Sequence, residues 1–486
     1  MGYESSRPEV ASGFLTRQTI GIIAVVLIAS VCSLFSLILV VKAIYRIWYH
    51  PLARFPGPKL YALTEVTSDW MSYVRGTWIH QVRNLHAEYG PIVRVGTKHL
   101  VLDGGIGWPI LAHKSGKPEF GKQPGFYFPA SATLVSWVRR RRCIDIKDAS
   151  WRMRLQLAKR AGDNKKQGQT VNIVEWLNFL TFDMIGDLAI STLFESLEAG
   201  AYHEWIANFL NGVEGATVQR FMRFYPYLAP MTMGMIQDRM GLGEQGKSGK
   251  EHRDFMTYML RRNRDGENGM SNVEIMSNAP VLIAAGSETT ATALAGLFFF
   301  LGTNRDIYRR LVDKIRGAFR TEEEISLRAI AKLEYLQATL EEGLRLYPPV
   351  AELPRRICPG AEIDGKWVPK GTVISVHQWS TFRNPAHFAE PDSFRPERFL
   401  LTSHPLYDGA RFGGDNRAVS KPFSFGSRDC IGKNLAFAEM RAVVVRLLHR
   451  FDVVLEPGQE NWLNSQRTYV MWHTGPLKVR LRAKEL

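Results

Sequence analysis

Cysteine is scarce in this chain: Cys32, Cys143, Cys358 and Cys430 are the four among 486 residues, and no two form a C-x-x-C pair. That scarcity excludes a disulfide framework and a cysteine-based zinc site, and it suits a reducing compartment. Low-complexity tracts and internal repeats are also missing, which excludes a disordered chain and a solenoid. Acidic residues are short, 47 against 62 basic ones, giving a formal charge of +15. Such a balance points to an anionic partner, whether nucleic acid, anionic lipid or an acidic protein surface, and charge alone does not choose among them.

Charge is wholly absent from "IGIIAVVLIASVCSLFSLILVV", Ile20 to Val41. About 22 apolar positions are enough for a helix to cross a bilayer core of roughly 30 Å, and they exceed the apolar region of a secretory signal. The reading is a single transmembrane helix over 20–41, preceded by a luminal tail over 1–19. Lys42, Arg46, Arg54 and Lys59 come after the run without a nearby acid. This bias places the C-terminal bulk in the cytosol. Residues 42–59, with Pro51, Pro56, Gly57 and Pro58, read as a stiff connector that orients this C-terminal bulk on the membrane.

From residue 60 to 486 no linker divides the chain, and helical apolar spacing dominates. It marks 172–190, 251–262, 272–302, 305–319, 334–346 and 433–450 as helices. Strand pairs are expected in 91–103, around Gly96, and in 361–379, where Asp364-Gly365 is a hairpin signal. The fold class is mainly α with small β-sheets.

Several motifs carry chemistry. "GLGEQGKS" (241–248) has the spacing of a phosphate-binding loop, but "MTMGMIQDRM" before it is a poor strand, and Gly249 interrupts any helix after it. A polar loop is the better reading. "LIAAGSETTATAL" (282–294) sets Gly286, Ser287, Glu288, Thr289 and Thr290 inside an apolar helix. Either its hydroxyls bond back to their own turn, or Gly286 admits a ligand while Glu288 and Thr289 relay protons. Glu342 and Arg345 share a helix face; such pairs are usually superficial, yet Arg398 of "FRPERF" could join them in a buried network. In "FSFGSRDCIG" (423–432) Cys430 stands just before a helix, with Arg428 two residues away and Gly426 and Gly432 allowing close backbone approach. The helix dipole and the unpaired amides at such a position favour a thiolate and hence a metal ligand.

Phe423, Gly426, Arg428, Cys430 and Gly432 complete the pattern F-x-x-G-x-R-x-C-x-G. With the acid–threonine pair of "AAGSETT", the E-x-x-R at Glu342 and Arg345, and "FRPERF", all in order, the chain resembles a cytochrome P-450, a haem-thiolate monooxygenase of the membrane-anchored fungal type. The resemblance runs from Tyr45 onward. It implies haem b with Cys430 as axial ligand of the iron. Arg428 and Arg355 of "ELPRRI" would hold the propionates, as would Trp137 and Arg141 of a W-x-x-x-R. Phe423 and Gly426 would shape the cofactor loop, and Glu342, Arg345 and Arg398 would lock the fold around it. Glu288 and Thr289 would deliver protons while dioxygen is activated and an apolar small molecule is hydroxylated. No flavin or nicotinamide module is visible, so the resemblance also implies an NADPH-cytochrome P-450 reductase as electron donor. It implies the endoplasmic reticulum membrane as location, membrane lipid as a contact, secondary metabolism as setting, and no nucleic acid partner.

Two stretches, about 123–170 and 236–254, look abbreviated beside that family. They keep open a haem-binding paralogue with impaired or no turnover, and a haem-thiolate isomerase or dehydratase is a further alternative.

Overall fold

A computed structural model of the chain describes residues 10–112, 119–123, 150, 152–158, 168–192, 194–204, 206–207, 234–242, 254–264, 270–426, 428–469 and 471–484. The charge-free run forms part of helix α1 (Val10–Ile44), longer at both ends than its apolar stretch. The described side chains from Ile22 to Val41 are exposed, so none of the described residues covers them. A second helix is long and apolar enough to cross a bilayer, but 67% of its most apolar window is buried in the fold, which makes it a core element.

The connector is built into the body rather than hung from it. Leu52 and Phe55 are buried in one apolar cluster with Leu100, Leu102, Ile374 and Val376. The Arg94 amide donates to the Pro56 carbonyl at 2.7 Å, and the Arg94 guanidinium to the Arg46 carbonyl at 2.8 Å. The end of the apolar helix α1 is thereby fixed to the sheet, and a buried arginine as well as the proline-rich segment holds it there.

After helix α2 (Trp78–Tyr89), strands β1 (Ile92–Arg94) and β2 (His99–Leu102) form the first expected hairpin. The edge strand β3 (Gly121–Lys122) and β4 (Gln169–Asn172) lead to α3 (Ile173–Ile190). Helix α4 (Phe255–Arg264) follows Asp254, whose carboxylate accepts from the Thr257 amide at 2.7 Å, and residues 251–253 of the helix expected over 251–262 lie outside the described residues. Helix α5 (Asn272–Thr303) opens with a capping box of Ser271 and Glu274. Helices α6 (Arg305–Ala318) and α7 (Glu334–Leu346) come next.

Beyond them lie β5 (Arg356–Ile357) and the pair β6 (Ala361–Ile363) and β7 (Lys366–Val368). Asp364 and Gly365 between the pair have φ of 49° and 71°, the two left-handed residues that a tight hairpin needs. Strand β8 (Val373–Val376) then runs parallel to β2 and completes a five-stranded sheet in the order β1-β2-β8-β5-β3. The last long helix, α8 (Lys433–Arg450), leads into β9 (Phe451–Leu455), which joins β4 and a C-terminal strand at Lys478–Ala483 in a second sheet.

Helices α3, α5, α6, α7 and α8 share the main apolar core, which includes Leu180, Phe298, Leu311, Leu344 and Val444. A Cβ on Gly286 would lie 2.6 Å from Ile185 Cδ1. This glycine therefore serves close packing of α5 on α3, which corrects the expectation that it admits a ligand. Residues 234–241 are helical, so the strand that a phosphate-binding loop requires is replaced by a helix. Residues 243–248 of that motif lie outside the described residues.

Candidate cofactor site

The cysteine loop turns because two of its residues take left-handed backbone angles, Ser424 at φ 63° and Gly426 at φ 90°. The turn is closed by the Cys430 amide, which donates to the Phe423 carbonyl at 2.8 Å. The Phe423 ring packs on Phe437 with centroids 5.1 Å apart, which ties the loop to α8. Gly432 caps that helix without a side-chain bond. The amides of Gly432 and Lys433 are directed to the sulfur and lower the thiol's pKa, but burial by crowding atoms, joined by the Asp429 carboxylate, outweighs them and raises it. The residue nevertheless remains exposed. Among the described residues no group of three or more His, Cys, Asp or Glu could hold a metal ion.

On the central helix α5, Ala285 is exposed and Thr289 partly so, although the turns around them are mostly buried. Four residues apart, they share one face. The Thr289 hydroxyl donates to the Ala285 carbonyl at 2.7 Å, Ser287 to Ile283 at 2.7 Å and Thr290 to Gly286 at 3.1 Å. The bland reading of this cluster, back-bonding within the helix, is thus present at each of these hydroxyls. Glu288 is buried instead, 6% exposed, on a different face from Thr289. Its Oε1 accepts from Thr292 at 3.4 Å, while Oε2 has no partner among the described residues. Burial pushes its pKa up to about 7, which lets it gain or lose a proton near neutrality. The two expected proton-relay residues do not touch each other.

Glu439 of α8 escaped sequence reasoning. It is buried, its Oε2 lies 3.2 Å from Thr290 Oγ1, and burial raises its pKa to about 8. The available signal was an acid between Phe437 and Met440 on the apolar face of a helix.

Glu342, Arg345 and Arg398 are each 0% exposed, so the pair that spacing alone reads as superficial is central. Arg345 donates to both Glu342 oxygens at 2.7 and 2.8 Å and to the carbonyls of Phe382, Pro391 and Ser393. Arg398 reaches Glu342 at 3.2 Å, the Ala389 carbonyl at 2.8 Å, and Asp415, which sequence reasoning did not find. Three charged side chains from α7 and the "FRPERF" loop, with Asp415 nearer the cysteine, pin the segment that leads into residues 423–432.

Of the expected propionate contacts, Arg428 is exposed and paired with Glu119 at 2.5 Å. Arg355 is largely buried and paired with Glu352 at 2.9 Å. Trp137 and Arg141 lie outside the described residues. So does most of the abbreviated stretch 123–170, of which residues 152–158 are helical.

An exposed cysteine sulfur with amides at its back, a partly exposed helical face carrying Thr289, and arginines beside the loop form a donor set suited to an iron porphyrin. A soft thiolate is a ligand suited to haem iron rather than to a hard hydrated ion. Fold and site together define a helical haem-thiolate protein. The sequence profile of the cytochrome P-450 family matches residues 152–481. The chain is 34% identical to cytochrome P-450 monooxygenase astJ of Aspergillus oryzae, over 92% of this chain and 95% of that one. It is 34% identical to averantin hydroxylase of Dothistroma septosporum, over 91% and 89% of the two chains. With cytochrome P-450 monooxygenase tpeC of Talaromyces stipitatus it shares 33% identity, over 91% and 92%. The chain belongs to the cytochrome P-450 family, whose members bind haem through a cysteine thiolate, and it is a monooxygenase that takes dioxygen, electrons from a redox partner and a small-molecule substrate.

Proposed function

We propose that this enzyme hydroxylates an apolar small molecule in fungal secondary metabolism. In this reading Cys430 would hold the haem iron through its thiolate, and electrons would come from an NADPH-cytochrome P-450 reductase. The supporting observation is the cysteine loop itself, which leaves the sulfur exposed while the Gly432 and Lys433 amides face it. The metabolic setting is supported by relatives such as averantin hydroxylase. When bound, the haem iron supplies the activation of dioxygen.

The chain's own residues do the rest. The amides of Gly432 and Lys433 stabilise negative charge on the Cys430 sulfur. Thr289 presents its hydroxyl on the open face of α5 and holds a proton there. Glu288, buried behind it and titrating near neutrality, exchanges protons with that region through solvent or a change of rotamer. Arg355 and Arg428 would hold the haem propionates, Phe423 and Gly426 would hold the loop, and Glu342, Arg345 and Arg398 would keep it in place. Helix α1 crosses the endoplasmic reticulum membrane with residues 60–486 on the cytosolic side.

The deciding experiment uses the full chain in membranes with NADPH and a reductase. Wild type should give the red-shifted reduced carbon monoxide band of thiolate-ligated haem and consume NADPH and dioxygen in step with product. Cys430→Ala should lose both. A variant that retained the red-shifted band would remove Cys430 from the role.

A further inference from the structure

Arg355 is 13% exposed, and its guanidinium makes one hydrogen bond, from Nε to Glu352 Oε1 at 2.9 Å. Among the described residues neither Nη nitrogen has a partner. The contrast within the fold is sharp, since Arg345 spends its nitrogens on five acceptors. Neither Nη is among the buried orphan atoms of the described residues, so both reach solvent, where an acceptor on a ligand can meet them. Because the group is planar, a bond fixed at Nε sets the direction of the Nη pair.

The surroundings favour this arrangement. Burial works against charge on Glu352, but the charge and hydrogen bond of Arg355 hold its carboxyl below the usual range. His377 is fully buried, with Nε2 3.6 Å from the same Oε1, and neither ring nitrogen has a hydrogen-bond partner among the described residues. Burial lowers its pKa to about 4, so it is neutral near pH 7 and does not compete for Glu352 as a cation. Tyr73 and Asp69 also face Arg355, and His99 is close enough to feel its charge. Glu352 is the group that touches it.

We propose that Glu352 is the positioning residue for Arg355: it grips Nε so that the paired Nη nitrogens are presented to a carboxylate of the bound prosthetic group. This rests on the reading of Arg355 as a propionate contact. Sequence reasoning placed no role on Glu352.

The test measures haem transfer from full-length holoenzyme to excess apomyoglobin. Arg355→Ala should speed haem loss by about 10-fold or more, as expected for losing a charge-assisted bond. Glu352→Ala should reproduce most of that loss and add nothing in the Arg355→Ala background. Glu352→Gln, whose amide oxygen still accepts from Nε, should stay within about 3-fold of wild type. Should Glu352→Ala not fold, Glu352→Asp, one methylene shorter, replaces it and should lose haem faster than Glu352→Gln. Equal effects of the Glu352 change with and without Arg355, or a Glu352→Gln loss as large as the other, would overturn the proposal. Wild-type haem retention in Arg355→Ala would instead sink the propionate reading, and this inference with it.

Discussion

Two carboxyl groups in the core sit far from their ordinary titration range for one reason: burial without a cation. Glu288 is raised to about 7 and Glu439 to about 8. A carboxyl that holds its proton more tightly folded than unfolded contributes fully at low pH, and stability falls as pH rises from the unfolded value near 4.5 through the folded one. For Glu439 that window runs from about 4.5 to 8. Glu439→Gln should therefore match wild type at pH 5 and exceed it at pH 9 by on the order of 1–3 kcal/mol in urea unfolding. An unchanged difference across that range would mean that Glu439 is charged in the fold. At Thr289 the consequence is kinetic. Its hydroxyl lies on the exposed face of α5, so Thr289→Ala should keep haem and NADPH consumption but divert reducing equivalents from product to peroxide. Product and peroxide measured together decide it, and tight coupling in the variant would take Thr289 out of proton delivery.

Among the elements, helices with apolar periodicity were legible because each needs only its own sequence. α7 and α8 were found at their observed bounds, and α5 within a residue. The β6–β7 hairpin was legible for the same reason, since Asp364-Gly365 dictates its turn. What sequence could not reveal lies in contacts between distant segments. Asp415 completes the Arg398 pair from 17 residues away, and Glu439 meets Thr290 across 149. Glu352 is close to Arg355 in sequence, but whether it points inward depends on the sheet. Burial decided the Glu342–Arg345 pair too, turning a spacing common on surfaces into a core network. Removing Glu342 strands two guanidinium groups with no water to receive them. Glu342→Ala should cost about 3–5 kcal/mol, enough to yield protein without haem. A Glu342→Ala protein with normal haem content and thermal midpoint would show the network to be dispensable.

Over the whole molecule, helix α1 and the body are joined directly, because Arg94 and Arg46 tie the end of that apolar helix to the sheet and Leu52 and Phe55 are core residues. Exposed apolar side chains also gather just past that helix: Trp48, Tyr49, Leu60, Val66 and Trp70 are each more than half exposed. Lys59 lies over the Trp48 ring at 5.9 Å, the mixture of cation and aromatic ring that suits a lipid–water interface. A chain lacking residues 1–44 should therefore still sediment with vesicles containing anionic lipid. Replacing Trp48, Tyr49 and Trp70 with serine in that shortened chain should release it, with the haem spectrum unchanged. Each aromatic contributes apolar area at about 25 cal/mol per Å², and three together amount to several kcal/mol, ample to move a partition from bound to free. Release of the shortened chain before those substitutions would assign membrane attachment to α1 alone, and the rigid joint at Arg94 would then serve to aim the body rather than to seat it.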